Sequence, residues 1–143
     1  LVKKLRGGDT YIPELALVMA DGNDGDRLIG HIMLTKIAIK GVKSLPKNTF
    51  EILLLAPVAI AIDRRNRGLG SDLIREALKK AKNEGYAAVI STGDPRYFER
   101  LGFVSAGKFN IKNKQNIPDE NVLVYELVSG ILEGIEGTVD FFG

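Results

Sequence analysis

The chain has 143 residues with 45% hydrophobic and 27% charged content, so one folded domain over residues 1–143 is expected and a largely disordered chain is excluded. Twenty basic residues against eighteen acidic ones leave a net charge of +2, which gives no support for a general nucleic-acid or membrane-surface binder. Cysteine is absent and histidine occurs once, at His31, which excludes disulfides, thiolate metal sites, a cysteine nucleophile and multi-histidine zinc sites.

Residues 1–6 read as the last turn of a helix, ended by Gly7 and Gly8. Residues 15–19 and 28–39 are apolar or β-branched runs on either side of the turn signal Asp21, Gly22, Asn23, Asp24, Gly25, and predict a two-stranded hairpin. Residues 40–48 form a polar loop. Residues 50–62 are almost continuously apolar and predict a buried strand. Pro57 lies inside that run and cannot donate to a sheet ladder, so a bulge or unpaired stretch is expected there, with backbone groups left for a ligand. Residues 63–71 are a polar loop rich in Arg and Gly. Leu69, Leu73, Ala77 and Ala81 then recur every fourth residue with Ile74 and Leu78 beside them, the clearest amphipathic helix in the chain. Asp72 and Glu76 near its start and Lys79, Lys80 and Lys82 near its end suit the helix dipole, and Gly85 is its stop.

Residues 87–92 predict a short strand and residues 95–101 a short helix, with Pro95 at its start and Asp94 as its N-cap. Residues 103–106, 122–127 and 138–142 are further strands, and residues 112–114 read as a solvated loop. This order predicts a mixed α/β sheet with helices packed on it. No apolar run reaches the roughly 18 residues of a membrane span. No signal peptide is read, and a cytoplasmic location is the default expectation.

The sharpest chemical feature is Arg65-Asn66-Arg67-Gly68-Leu69-Gly70-Ser71, between a buried strand and an amphipathic helix. A helix N-terminus exposes unpaired amides and the positive end of the dipole. Gly68 and Gly70 let an anion approach the backbone, and Arg64, Arg65 and Arg67 add positive charge. The ligand type this favours is phosphate or pyrophosphate. The segment is not a Walker A loop, since no Gly-Lys-Ser/Thr follows. It also lacks the third glycine of a dinucleotide fingerprint. Taken alone, an ordinary helix-start turn explains the Gly-x-Gly equally well.

The stretch from Leu55 to Ile74 resembles the acetyl-CoA-binding segment of the GNAT superfamily of N-acetyltransferases, whose pattern Gln/Arg-x-x-Gly-x-Gly/Ala is met by Arg65 to Gly70. The stretch from Gly93-Asp94-Pro95 to Leu101-Gly102-Phe103 looks like that family's second motif, and with Ala56-Pro57 it lies nearest the YhbS-like branch. The resemblance implies a mixed α+β fold of the α/β class. Its central sheet would be mostly antiparallel, twisted and splayed at the acetyl-CoA strand, with helices on both faces. It also implies that the family's first strand and helix precede Leu1.

Acetyl-CoA is the implied co-substrate, with no metal. By the resemblance, the backbone at Val58, Ala59 and Ile60 pairs with the pantetheine arm. Amides of Arg65, Asn66, Arg67, Gly68, Leu69, Gly70 and Ser71 hold the pyrophosphate. Asn66 stands where glycine is common and Arg64 where an aromatic is common; neither blocks amide donation. Phe98 holds the position where the family often has a tyrosine that protonates the leaving thiolate. Tyr97 is adjacent, but successive helix residues point about 100° apart.

Either Tyr97 serves as the acid after a small shift or no acid is required, and Glu51, on the strand leading to the site, is the candidate base. The implied activity is acetyl transfer to a primary amine by direct attack in a ternary complex. The alternative, motivated by Phe98, is a non-catalytic module that binds or senses acyl-CoA. The acceptor would be a small-molecule or peptide amine. Nucleic-acid and membrane partners are not expected, because the Arg cluster lacks interleaved aromatics. A homodimer is allowed for, without a motif of its own. His31 is most simply a strand residue.

Overall fold

β1 (Val2–Lys4), β2 (Leu17–Ala20) and β3 (Leu28–Ile32) form an antiparallel ladder in a computed structural model of the chain. The structure describes the backbone of residues 2–4, 17–20, 28–32, 34–55, 59–60 and 69–141, and the side chains of residues 34–55 and 74–141. The hairpin expected across the Asp/Gly/Asn turn is the β2–β3 pair, in which Leu17 faces Ile32 and the register shifts at Met19/Ala20. The helical turn expected at residues 1–6 is instead strand β1, with Val2 opposite Met19. The edge of β2 supplies backbone partners to residues 2–4, and that pairing overrides the local helical signal.

The chain divides into two units, Leu1–Thr35 with Leu55–Glu84 and Lys36–Leu54 with Gly85–Gly143. In the first, the sheet order is β1-β2-β3-β6, where β6 is Ala59–Ile60. The helix α1 (Leu69–Asn83) packs on β2, β3 and β6. Its fourfold apolar repeat is the reason: Ile74, Ala77 and Ala81 are fully buried and Leu78 nearly so. Lys80 and Lys82 occupy the last turn, where the dipole favours cations. Leu69, Gly70 and Ser71, expected to end a polar loop, form the first turn of α1. The first turn needs no intrahelical N–H partner, so a small polar segment enters the helix at little cost.

The second unit holds most of a seven-stranded sheet ordered β8-β10-β7-β5-β4-β11-β9. These strands are β4 (Leu34–Lys40), β5 (Thr49–Leu55), β7 (Ala88–Thr92), β8 (Val104–Ser105), β9 (Ile111–Asn113), β10 (Val122–Glu126) and β11 (Gly137–Val139). β5 runs parallel to β7, Leu53 beside Val89 and Leu54 beside Ile90. A parallel pair needs a long crossover, which the residues between the two strands provide. β10 is antiparallel to β7 from Val122–Thr92 to Glu126–Ala88.

Alternate residues enter one core: Ile39 of β4, Ile52 of β5, Ala88 and Ile90 of β7, Val122 and Val124 of β10, and Val139 of β11. Ile111, Leu132 and Ile135 close it. The lysine-bearing stretch at residues 112–114, expected as a solvated loop, contributes Lys112 and Asn113 to β9, parallel to β11. With Ile111 as its one buried residue, β9 has no alternation to read in the sequence.

β11 fits between β4 and β9 because Gly137 has no side chain. A Cβ there would collide with the Lys40 carbonyl oxygen and come within 2.7 Å of Ile39 Cγ2. The short helix α2 (Pro95–Glu99) packs on β8 and β10. Its N-cap Asp94 accepts from the Arg96 amide at 2.9 Å, and Pro95 supplies a fixed first φ. Asp94→Ala is expected to lower stability by about 1 kcal/mol and the unfolding midpoint by about 2–4 °C. Thermal denaturation followed by circular dichroism checks this; an unchanged midpoint would mean that the cap is not formed in solution.

Candidate functional site

Two strands are described within the apolar run at residues 50–62. β5 lies in the seven-stranded sheet and β6 in the four-stranded one. The bulge or unpaired stretch expected at Pro57 lies outside the described residues. β6 is the terminal strand of its sheet. Gly30 faces Ile60 and His31 faces Ala59 on one edge. Among the described residues no strand pairs with the other edge. Ala59 and Ile60 therefore hold a backbone edge of the kind that takes an extended, amide-bearing chain as an added strand.

α1 begins nine residues after β6, at Leu69. The amides of Leu69, Gly70 and Ser71 fall in its first turn, where they have no intrahelical acceptor and carry the positive end of the dipole. A strand with an open edge followed by a helix N-terminus fits a ligand with an extended amide arm and a phosphate group. Val58, Arg65, Asn66, Arg67 and Gly68 lie outside the described residues. His31 has its backbone in the β3 ladder between Val18 and Ala59.

In the second unit, Glu51 is exposed on β5, on the face opposite Phe50, Ile52 and Leu54, which pack into the core. Tyr97 is half-buried on α2. Its ring meets Phe98 edge-on, with centroids 5.3 Å apart and planes at 84°. Phe98 is 8% exposed and leads into Phe103 at 5.1 Å, which in turn meets Tyr125 at 5.4 Å. Phe98 is thus a packing residue, and Tyr97 is the one hydroxyl-bearing side chain of α2.

The turn that precedes α2 is held from two sides. The Gly93 amide donates to the Asn121 carbonyl at 3.0 Å, and Asn121 Nδ2 donates back to the Gly93 carbonyl at 3.1 Å. Gly93 has φ +149, and a Cβ there would lie 2.9 Å from Phe98 Cε2, so only glycine allows this turn over the ring. Sequence reading missed Asn121, which carries no local pattern. It also missed Ser91 of β7, the one buried polar residue among those described, at 4% exposure.

Among the described residues no group of three His, Asp or Glu side chains could hold a metal ion. No helix there is long and apolar enough to cross a membrane.

Comparison with known proteins adds the following. Residues 9–103 match the Acetyltransferase (GNAT) family. The uncharacterized N-acetyltransferase YhbS of Escherichia coli K12 is 28% identical over 127 residues, 89% of this chain and 71% of YhbS. The crystal structure of E. coli YhbS in complex with CoA matches with a TM-score of 0.77 at 26% identity and covers 87% of this chain. This chain spans 65% of that solved chain, just under two thirds. A GNAT family acetyltransferase from Brucella melitensis, in complex with acetyl-CoA, matches with a TM-score of 0.63 at 22% identity over 87% of this chain and 63% of its own, a likeness of fold.

Proposed function

The chain belongs to the GNAT acetyltransferase family, and from that premise we propose that it transfers an acetyl group from acetyl-CoA to a primary amine, by direct attack in a ternary complex. The observation that carries the reading is the open edge of β6 followed by the first turn of α1. The backbone at Val58, Ala59 and Ile60 pairs with the pantetheine arm through the edge that β3 leaves unused. Amides from Arg65 to Ser71 hold the pyrophosphate, and Arg65 and Arg67 add charge to the same end of the helix.

The co-substrate supplies an activated thioester carbonyl. The amine forms the new C–N bond and the C–S bond breaks. Glu51 takes the amine proton, through water where needed, and the Tyr97 hydroxyl gives a proton to the departing sulfur. A thiol with a pKa of roughly 8.5 leaves tolerably as thiolate, so the acid matters less than the base.

Initial rates of CoA release over a panel of primary amines test the reading. Amine-dependent release is expected, with Glu51→Gln reduced about 100-fold and Tyr97→Phe reduced about tenfold or less. CoA binding without amine-dependent release from any amine would overturn it. One observation favours a second reading, a module that binds acyl-CoA without transfer: Phe98 is buried against Phe103 and offers no proton. Amine-dependent release of CoA decides against that module.

A further inference from the structure

We propose that a cavity of about 540 Å³ in the second unit binds a compact dianion through its phosphate or carboxylate oxygens. None of its lining residues belongs to the segments assigned above to acetyl-CoA. Its walls come from parts of the chain far apart in sequence: Lys43 and Ser44 in the turn after β4, Lys112 on β9 and Thr138 on β11. The strand register explains why charge gathers there. Thr138 is opposite Lys40 on one side and Lys112 on the other, so Lys40, Thr138 and Lys112 form a row across three neighbouring strands. Directly paired residues share a face. The opposite face of the same strands carries the buried Ile39, Val139 and Ile111, which leaves the lysine row facing outward.

One carboxylate, Glu136, also lines the cavity, and its Oε2 accepts from Asn110 Nδ2 at 3.3 Å. Lys43 and Lys112 in the lining, with Lys40 beside it, outnumber that carboxylate, so the local field favours an anion. The space is formed before any ligand arrives. Ser44 Oγ donates to the Gly134 carbonyl at 3.1 Å and ties the turn to the opposite rim. A Cβ built at Gly41 or Gly134 would meet nothing within 4 Å, so both rims border open space. Two ammonium groups on separate elements, with the Thr138 hydroxyl also in the lining, suit oxygens of a doubly charged ligand, since lysine recognises such groups as a point charge.

The test is an amide NMR titration of the whole protein with inorganic phosphate and, separately, malonate. Each is matched against sodium chloride at equal ionic strength. Saturable shifts are expected at the amides of Gly41, Gly134, Gly137 and Thr138, with the apparent affinity reduced at least about tenfold in a Lys43→Ala/Lys112→Ala double variant. A response to phosphate alone assigns the site to phosphorylated ligands, and a response to malonate alone to carboxylates. Still amides with both anions, shifts matched by sodium chloride, or undiminished affinity in the double variant would overturn the proposal. The readout is confined to these amides, so it stands whether or not the chain transfers acetyl groups.

Discussion

Gly68→Glu is expected to weaken acetyl-CoA binding at least about 100-fold, the equivalent of roughly 3 kcal/mol. Gly68 is the residue directly before the first residue of α1. The amides that follow it, Leu69, Gly70 and Ser71, have no acceptor within the helix and meet the positive end of its dipole. If the pyrophosphate sits as proposed, a side chain at Gly68 obstructs its close approach to that backbone. A carboxylate there also sets like charge against like charge, which costs several kcal/mol when water is excluded. Calorimetric titration of acetyl-CoA into wild type and variant reads the effect. Gly68→Ala separates the two causes, because it adds bulk without charge. Wild-type affinity in Gly68→Glu would mean that the anion is held elsewhere.

Phe103→Ala should cost about 3–5 kcal/mol and lower the unfolding midpoint by about 10 °C or more. Phe103 is 2% exposed and joins Phe98, at 5.1 Å, to Tyr125, at 5.4 Å. Its removal leaves a void between α2 and β10, because neither neighbouring ring can follow. Phe98 is confined by the Gly93 turn, whose missing Cβ would lie 2.9 Å from that ring. Tyr125 is confined by the β10–β7 ladder. Phe103→Leu retains most of the volume and should cost only about 1–1.5 kcal/mol. Chemical denaturation of both variants measures the difference, and equal losses would show that volume at this position is not what holds α2 on the sheet.

Much of this architecture was legible in the sequence where a local signal and a global role coincide. The fourfold repeat of Leu69, Leu73, Ala77 and Ala81 marked α1 because one face of that helix is buried. Asp94 and Pro95 marked the start of α2 because both act within one turn. The features that escaped are held by distant partners. β9 exists through its pairing with β11, and Asn121 acts on Gly93 from another part of the chain. Of the candidate site, Ala59 and Ile60 fall on the strand expected, whereas Gly70 and Ser71, expected in the loop, belong to the first turn of α1. Glu51 and Tyr97 were chosen by chemistry, and no periodicity could have ranked them above other polar residues on a strand and a short helix.

The place of β11 also bears on how the chain is made. β4 is finished early in synthesis, but the strand that covers its outer edge, β11, comes roughly 100 residues later, when Thr138 reaches Lys40. At ordinary elongation rates that delay lasts roughly 5–20 s. During it the nascent chain carries an unpaired strand edge whose other face presents Ile37 and Ile39. Lys36 and Lys40 flank those isoleucines on the same strand. Charge so placed discourages a second chain from adding to the open edge. The edge that carries Lys36 and Lys40 is the one that β11 covers in the finished fold, where Thr138 lies opposite Lys40.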